Sequence, residues 1–315
     1  MSLRLYTIDP EGDVILIAEP QQGGLRVDLI EASPENLTAI TKRNKPAARV
    51  SSTILVSASP LFYLRQSLRH TNRPRDDPFV VPTLDTTALF IFLDIIHGQS
   101  SKIPDSVNFG RLFALAVIAR HYGCVKAVKG YAVPWINKLK DEVPVKYSYL
   151  IGKWIYIAGV FKQASLYQET TRNAVRHSIG VDIFPAEFPN DLGLLIEWVR
   201  NNTIGVLVKH LQDRIDSLLV PDNDAHGCHH CGVMMLGCLL RHLHSQGLYP
   251  LPTHPFPGIS MEDLLVALAS MPAVSCGAKL TCGCKSERPV MPEAEDIVRR
   301  IDGEMVGYRL GGVGF

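Results

Sequence analysis

After residue 85 the apolar positions recur mostly at helical spacing. Leu112, Leu115, Ala116 and Ala119 stand at i, i+3, i+4 and i+7, which places them on one face of a helix. Ile204, Leu207, Val208, Leu211, Ile215 and Leu218 keep the same spacing, with Lys209, Asp213, Arg214 and Asp216 on other faces. Between them, residues 147–177 read as one or two helices rich in aromatics, with Trp154 and Tyr156 as packing anchors. Residues 233–244 and 260–270 read as two more, the second opening on Ser260 with Asp263 three positions on. Proline and acidic residues interrupt the pattern at 141–144, 184–189 and 221–224, which predicts breaks between helices there.

Composition narrows the class. The 315 residues, 46% of them hydrophobic, suffice for two modest domains or for one domain and an extension. Lys and Arg number 32 against 31 Asp and Glu, so no global field draws the chain to nucleic acid or to an anionic membrane. No run approaches the roughly 18 apolar residues that span a bilayer, and the first six residues lack the apolar core of a secretory signal. The expectation is a soluble protein of the cytoplasm or nucleus, without a membrane partner.

Six of the seven cysteines lie after residue 227, and an odd count in a chain read as intracellular argues for reduced thiols or metal ligands rather than disulfides. Cys228 and Cys231 form a Cys-x-x-Cys pair, a spacing that lets two thiolates reach one tetrahedral zinc ion from a turn. Cys282 and Cys284 supply a second pair some fifty residues later, with Cys276 as the main substitute. Glycines at 277 and 283 free the backbone to bend around an ion. The expected site is Cys228, Cys231, Cys282 and Cys284, saturated by protein and therefore structural. His226, His229 and His230 are spare ligands, whereas Cys238 reads as a core thiol and His242 and His244 as solvated or dipole-stabilised at a helix end. The competing reading is that all these cysteines are reduced thiols in a small core.

Residues 49–68 join a strand end to two helices. Val50 fills the strand, Ile54 and Leu55 the first helix, and Ser59, Pro60 and Phe62 the start of the second. Ser59 can cap a helix whose first residue is Pro60, because proline's fixed φ suits that position and its missing N–H is no loss there. Phe62 would then point inward. This arrangement resembles a BTB/POZ domain. Residues 13–17 resemble that family's opening strand, 25–30 its hairpin partner, and 80–84 the strand before the next helix. Residues 87–98 resemble the helix that ends in a Tyr-x-Gly-like corner, with His97 in the aromatic's place. Residues 113–124 resemble the first of two closing helices, the second starting near Val125. A polar insertion at 31–47 departs from the family's usual tight turn.

The resemblance implies an α+β fold: a BTB/POZ-like domain at 10–140, a small sheet flanked by helices, followed by a mainly helical extension. That extension divides into a helical part at 141–220 and a Cys/His-containing module at 221–310, as in fungal BTB proteins with a cysteine-containing helical tail. It also implies a non-enzymatic interaction module that forms homodimers or heterodimers and recruits a cullin of a ubiquitin ligase. Leu3, Leu5, Tyr6 and Ile8 are the expected apolar contacts of dimerisation.

No phosphate-binding Gly-x-x-x-x-Gly-Lys, His-Glu-x-x-His or Gly-x-Ser-x-Gly motif occurs, and Cys124 beside His121 falls in a stretch expected to be buried. The basic run at 69–75 is followed at once by Asp76 and Asp77 and reads as a solvated loop. The alternative function is a transcription-regulator-like protein contacting nucleic acid through the Cys/His module. Against it, residues 221–289 carry only Arg241, Lys279, Lys285 and Arg288 as strong cations.

Overall fold

The computed structural model describes residues 5–20, 45–69, 79–145, 148–180, 190–220, 229–274, 288–304 and 307–308. The fold is α+β, with a small sheet near the N-terminus and helices through most of the remainder. Strands β1 (Leu5–Thr7), β2 (Val14–Pro20), β3 (Ala47–Val50) and β4 (Phe79–Thr83) lie in the order β1-β3-β2-β4. β2 runs antiparallel to β3, with Leu16 opposite Ala48, and parallel to β4, with Ile17 opposite Val80. β1 runs parallel to β3. The hairpin partner expected at 25–30 lies outside the described residues, as does most of the insertion; the antiparallel neighbour described for β2 is β3, just beyond that insertion.

Two short helices follow the sheet: α1 (Ser52–Ala58) and α2 (Pro60–Arg69). The Ser51 hydroxyl caps α1 by accepting from the Ile54 amide. Ser59 caps α2 as its sequence predicts, accepting from the Phe62 amide at 3.3 Å, and it also donates to the Tyr122 carbonyl at 2.6 Å. Phe62 is buried and stacks on Tyr122 with ring centroids 4.4 Å apart. One serine therefore starts a helix and ties it to a segment sixty-three positions away.

Helix α3 (Thr86–Ile96) is capped by Asp85 and ends at His97 and Gly98, where a φ of +70° turns the chain into a conformation glycine adopts freely. His97 serves as a clasp. Its Nδ1 lies 2.8 Å from the Leu93 carbonyl while Nε2 accepts from the Ser51 amide at 3.2 Å. Helices α4 (Phe109–His121) and α5 (Val125–Leu139) close this part. The four residues that the spacing places on one face of α4 are buried, and so is every other residue from Leu112 to Ala119, because this stretch is apolar all round.

Residues 147–177 resolve into two helices, α6 (Leu150–Val160) and α7 (Ala164–His177). Trp154 and Tyr156 are buried and pack on α4, Trp154 against Phe109 at 4.9 Å and Tyr156 against Phe113 at 5.6 Å. A boundary at 140/141 thus falls where the core runs on without a break. Helix α8 (Asn190–Leu219), 30 residues and about 45 Å long, stops just before Val220 and Pro221. Helices α9 (His229–Ser245), α10 (Met261–Ala269) and α11 (Ala294–Glu304), with the two-stranded ladder β5 (Ala273–Val274) and β6 (Arg288–Pro289), complete the described chain. α10 opens on a capping box between Ser260 and Asp263, as its spacing predicted. Among the described residues no helix is long and apolar enough to cross a membrane.

Candidate interaction surface

Residues opposite each other in a ladder share a face and successive residues alternate, so the pairing sorts the sheet into two sides. Leu16, Ala18, Ala48, Val50 and Val81 enter the main core together with Ile8. The other side carries Leu5, Ile15, Ile17, Ala47, Val80 and Pro82 together with Thr7, Glu19 and Arg49. It is mixed, with Arg49 directly opposite both Thr7 and Ile15. Ile17 and Ala47 are buried, while Leu5 and Ile15 reach the surface at 40% and 36% exposure. The apolar surface left open on this side is therefore that of Leu5 and Ile15.

The four apolar residues expected at a dimer contact separate. Leu3 lies outside the described residues, and Leu5 is exposed. Ile8 is a core residue at 1% exposure, because the alternation that turns Leu5 outward turns Ile8 inward. Tyr6 is half-buried and held on three sides. Its ring stacks on Phe90 at 5.1 Å, its hydroxyl donates to Asp94 at 2.9 Å, and Lys102 sits 5.4 Å from its ring centroid. Lys102 also donates to the Thr7 carbonyl at 3.1 Å, so β1 is pinned to the turn that follows α3.

Asp94, the acid of the 87–98 helix, is buried at 2% exposure and offers no acidic contact to a partner. Its Oδ2 accepts from Tyr6, whereas its Oδ1 is buried without a hydrogen-bond partner. Burial raises its pKa, against the opposing pull of the Tyr6 hydroxyl, Lys102 and His97. Burial, and then Asp94, push the Tyr6 phenol up to about 12. On α2, Tyr63 and Leu64 are each 58% exposed, and on α8 Leu194 and Trp198 stand out one turn apart.

The expected zinc ligands divide differently. Cys228, Cys276, Cys282 and Cys284 lie outside the described residues, as does His226, and the basic run from residue 70 onward does too. Cys231 is described, buried at 3% on the first turn of α9. Among the described residues, no three metal-binding side chains meet. Cys238 is half-buried and His244 exposed, in line with the core-thiol and solvated readings. His242 departs from its reading: it is half-buried, with Nε2 2.9 Å from the Ala267 carbonyl of α10. Cys124 is buried beside the Ala58 and Tyr122 carbonyls, and burial pushes its thiol up to about 11, which keeps it protonated and poorly nucleophilic near neutral pH.

Three arginines in the helical part make the polar contacts that sequence reading missed. Arg200, with no exposed surface, donates to the carbonyls of Ser178 at 2.9 Å and Ile259 at 2.6 Å, to that of Phe256, and to Glu197 at its rim. Arg214 donates to the Val290 carbonyl at 2.7 Å and approaches the Met235 sulfur at 3.8 Å. Arg176 joins Glu262 and Asp302 beside an open cleft of about 1060 Å³ between α7, α10 and α11. The signal for Arg200 was its place in the apolar series Leu192, Ile196, Ile204, Leu207, Leu211, where a charge on the buried stripe demands partners.

No protein-family model matches the chain. Neither a curated protein nor a solved structure matches it.

Proposed function

We propose that the chain is a protein interaction module of BTB/POZ type, which pairs with a second copy of itself and presents a further surface to another protein, a cullin scaffold of a ubiquitin ligase being the first candidate. The observation that carries this reading is the exposure of two apolar side chains on the second side of the sheet, Leu5 on the edge strand β1 and Ile15 on the inner strand β2. An apolar patch at a sheet edge is suited to association, since it combines unpaired backbone groups with removable apolar surface. Element order adds support: β2, β3, α1, α2, β4, α3, α4 and α5 follow one another as the resemblance implies. Tyr63 and Leu64 of α2 form the second surface.

The test is copurification of the tagged chain from its own cells, with partners identified by mass spectrometry. Wild type is compared with Leu5→Lys/Ile15→Lys and with Tyr63→Lys/Leu64→Lys. Loss of self-association in the first variant and of a cullin in the second is the expected result. A wild-type chain that retains neither a second copy nor any other protein overturns the proposal.

A further inference from the structure

Two stretches of the chain contain no aspartate or glutamate. Residues 45–69 carry Lys45, Arg49, Arg65 and Arg69, and residues 106–140 carry Arg111, Arg120, Lys126, Lys129, Lys138 and Lys140. These ten cations stand in a chain of formal net charge +1, so the residues outside the two stretches together carry −9, the difference between +1 and +10. A chain that is nearly neutral as a whole is thus divided into a basic part and an acidic remainder.

The fold joins the two stretches at one corner, where α2 begins beside the turn from α4 to α5. Ser59 donates to the Tyr122 carbonyl, Phe62 stacks on Tyr122, and the Cys124 thiol lies 3.3 Å from the Ala58 carbonyl. A Cβ added at Gly123 would stand 3.3 Å from the Pro60 ring. From that contact, Tyr63 and Leu64 lie about one turn along α2, both exposed, and Lys126 and Lys129 lie one and two turns along α5, exposed and half-buried. A turn rises about 5 Å, so all four residues start close to one point. Neither Lys126 nor Lys129 enters an ion pair among the described residues. Elsewhere in this part the cations are engaged or balanced: Arg111 faces Asp85 at 3.5 Å, Lys138 donates to the Asp105 carbonyl at 2.7 Å, and Asp141 and Glu142 follow Lys140.

We infer that this corner docks a short protein segment in which acidic side chains are interspersed with apolar ones, its carboxylates meeting Lys126 and Lys129 and its apolar residues covering Tyr63 and Leu64. The inference rests on the reading of Tyr63 and Leu64 as a surface for another protein, and it names the chemistry of that partner. Apolar area removed from water supplies affinity, while the lysines steer the encounter and reject basic segments. A nucleic acid suits the corner less well. The exposed Leu64 offers nothing to a phosphate backbone, and a strand that runs past the corner meets the acidic remainder of the chain. A short segment stays within the screening length of about 8–10 Å around the lysines and escapes that repulsion.

A library of random peptides displayed on phage and selected on the immobilised full chain tests this without a partner known in advance. The selected peptides should be enriched in aspartate and glutamate interspersed with large apolar residues. As free labelled peptides they should bind wild type at least about tenfold more tightly than Lys126→Glu/Lys129→Glu or Tyr63→Ser/Leu64→Ser, and more weakly as salt rises. Lys126→Glu alone, at an exposed position, serves should the double variant not fold. No selected peptide, peptides without acidic enrichment, equal binding to the charge-reversed variant, or equal displacement by a single-stranded oligonucleotide overturns the inference. A chain that selects acidic peptides but forms no pair with a second copy upholds it and overturns self-association alone.

Discussion

Arg200→Met removes the polar centre of the helical part while keeping an apolar stem of similar length. Three carbonyls lose their donor, those of Ser178 and Phe256, which are buried, and that of Ile259, which is part-buried. Leaving a buried acceptor unpaired costs about 1–3 kcal/mol. Burial lowers the Arg200 pKa, against the pull of Glu197, so the folded state bears a desolvation cost that methionine relieves. The net loss should be about 3 kcal/mol, since relief of desolvation offsets part of the sum of three lost bonds. Arg200→Lys should lose about 2 kcal/mol, because one ammonium cannot reproduce a planar fork directed at several carbonyls. Glu197→Gln at the exposed rim should lose under about 1 kcal/mol.

Urea unfolding followed by tryptophan fluorescence measures all three. Hydrogen exchange at the Gly258 amide, bonded to the Ile179 carbonyl at 2.8 Å, reports the local effect and should speed up in Arg200→Met first. A loss below about 1 kcal/mol for Arg200→Met, with Gly258 exchange unchanged, would refute the reasoning.

Two further outcomes concern the N-terminal part. Phe62→Ala, at a buried ring stacked on Tyr122, should lose about 3–5 kcal/mol in the same unfolding assay; a loss under 1 would place Phe62 outside the core. Asp94 binds its proton more tightly folded than unfolded, because burial raises its folded pKa. Wild type should therefore gain stability relative to Asp94→Asn as pH falls through that raised pKa towards the ordinary value of about 3.9, and lose it again as pH rises; urea midpoints of the two proteins that move in parallel would contradict this.

What the sequence revealed followed from local physics. Ser59 with Pro60, and Ser260 with Asp263, announce helix starts because capping needs only residues three or four apart. The break after residue 219 was legible for the same reason, since proline cannot continue a helix, whereas the break expected at 184–189 lies outside the described residues. Non-local contacts were not legible. Nothing near Ile8 announces that it turns inward while Leu5 turns outward, since that depends on β1 pairing with β3 forty-two positions away. His97 looked like a substitute for an aromatic, yet its two nitrogens join Leu93 to Ser51. His242 looked like a solvated helix end because Ala267 is twenty-five residues distant. The cysteine spacing suggested a metal, and of its expected ligands Cys231 alone falls among the described residues.

The association state of the purified full chain is the most direct test, measured by light scattering on a sizing column for wild type and for Leu5→Lys/Ile15→Lys. A wild-type dimer and a monomeric variant with the same melting temperature are expected, because both side chains lie at the surface of the second sheet side and outside the main core. A wild-type monomer at all accessible concentrations, or a variant that remains dimeric, would contradict association through this surface.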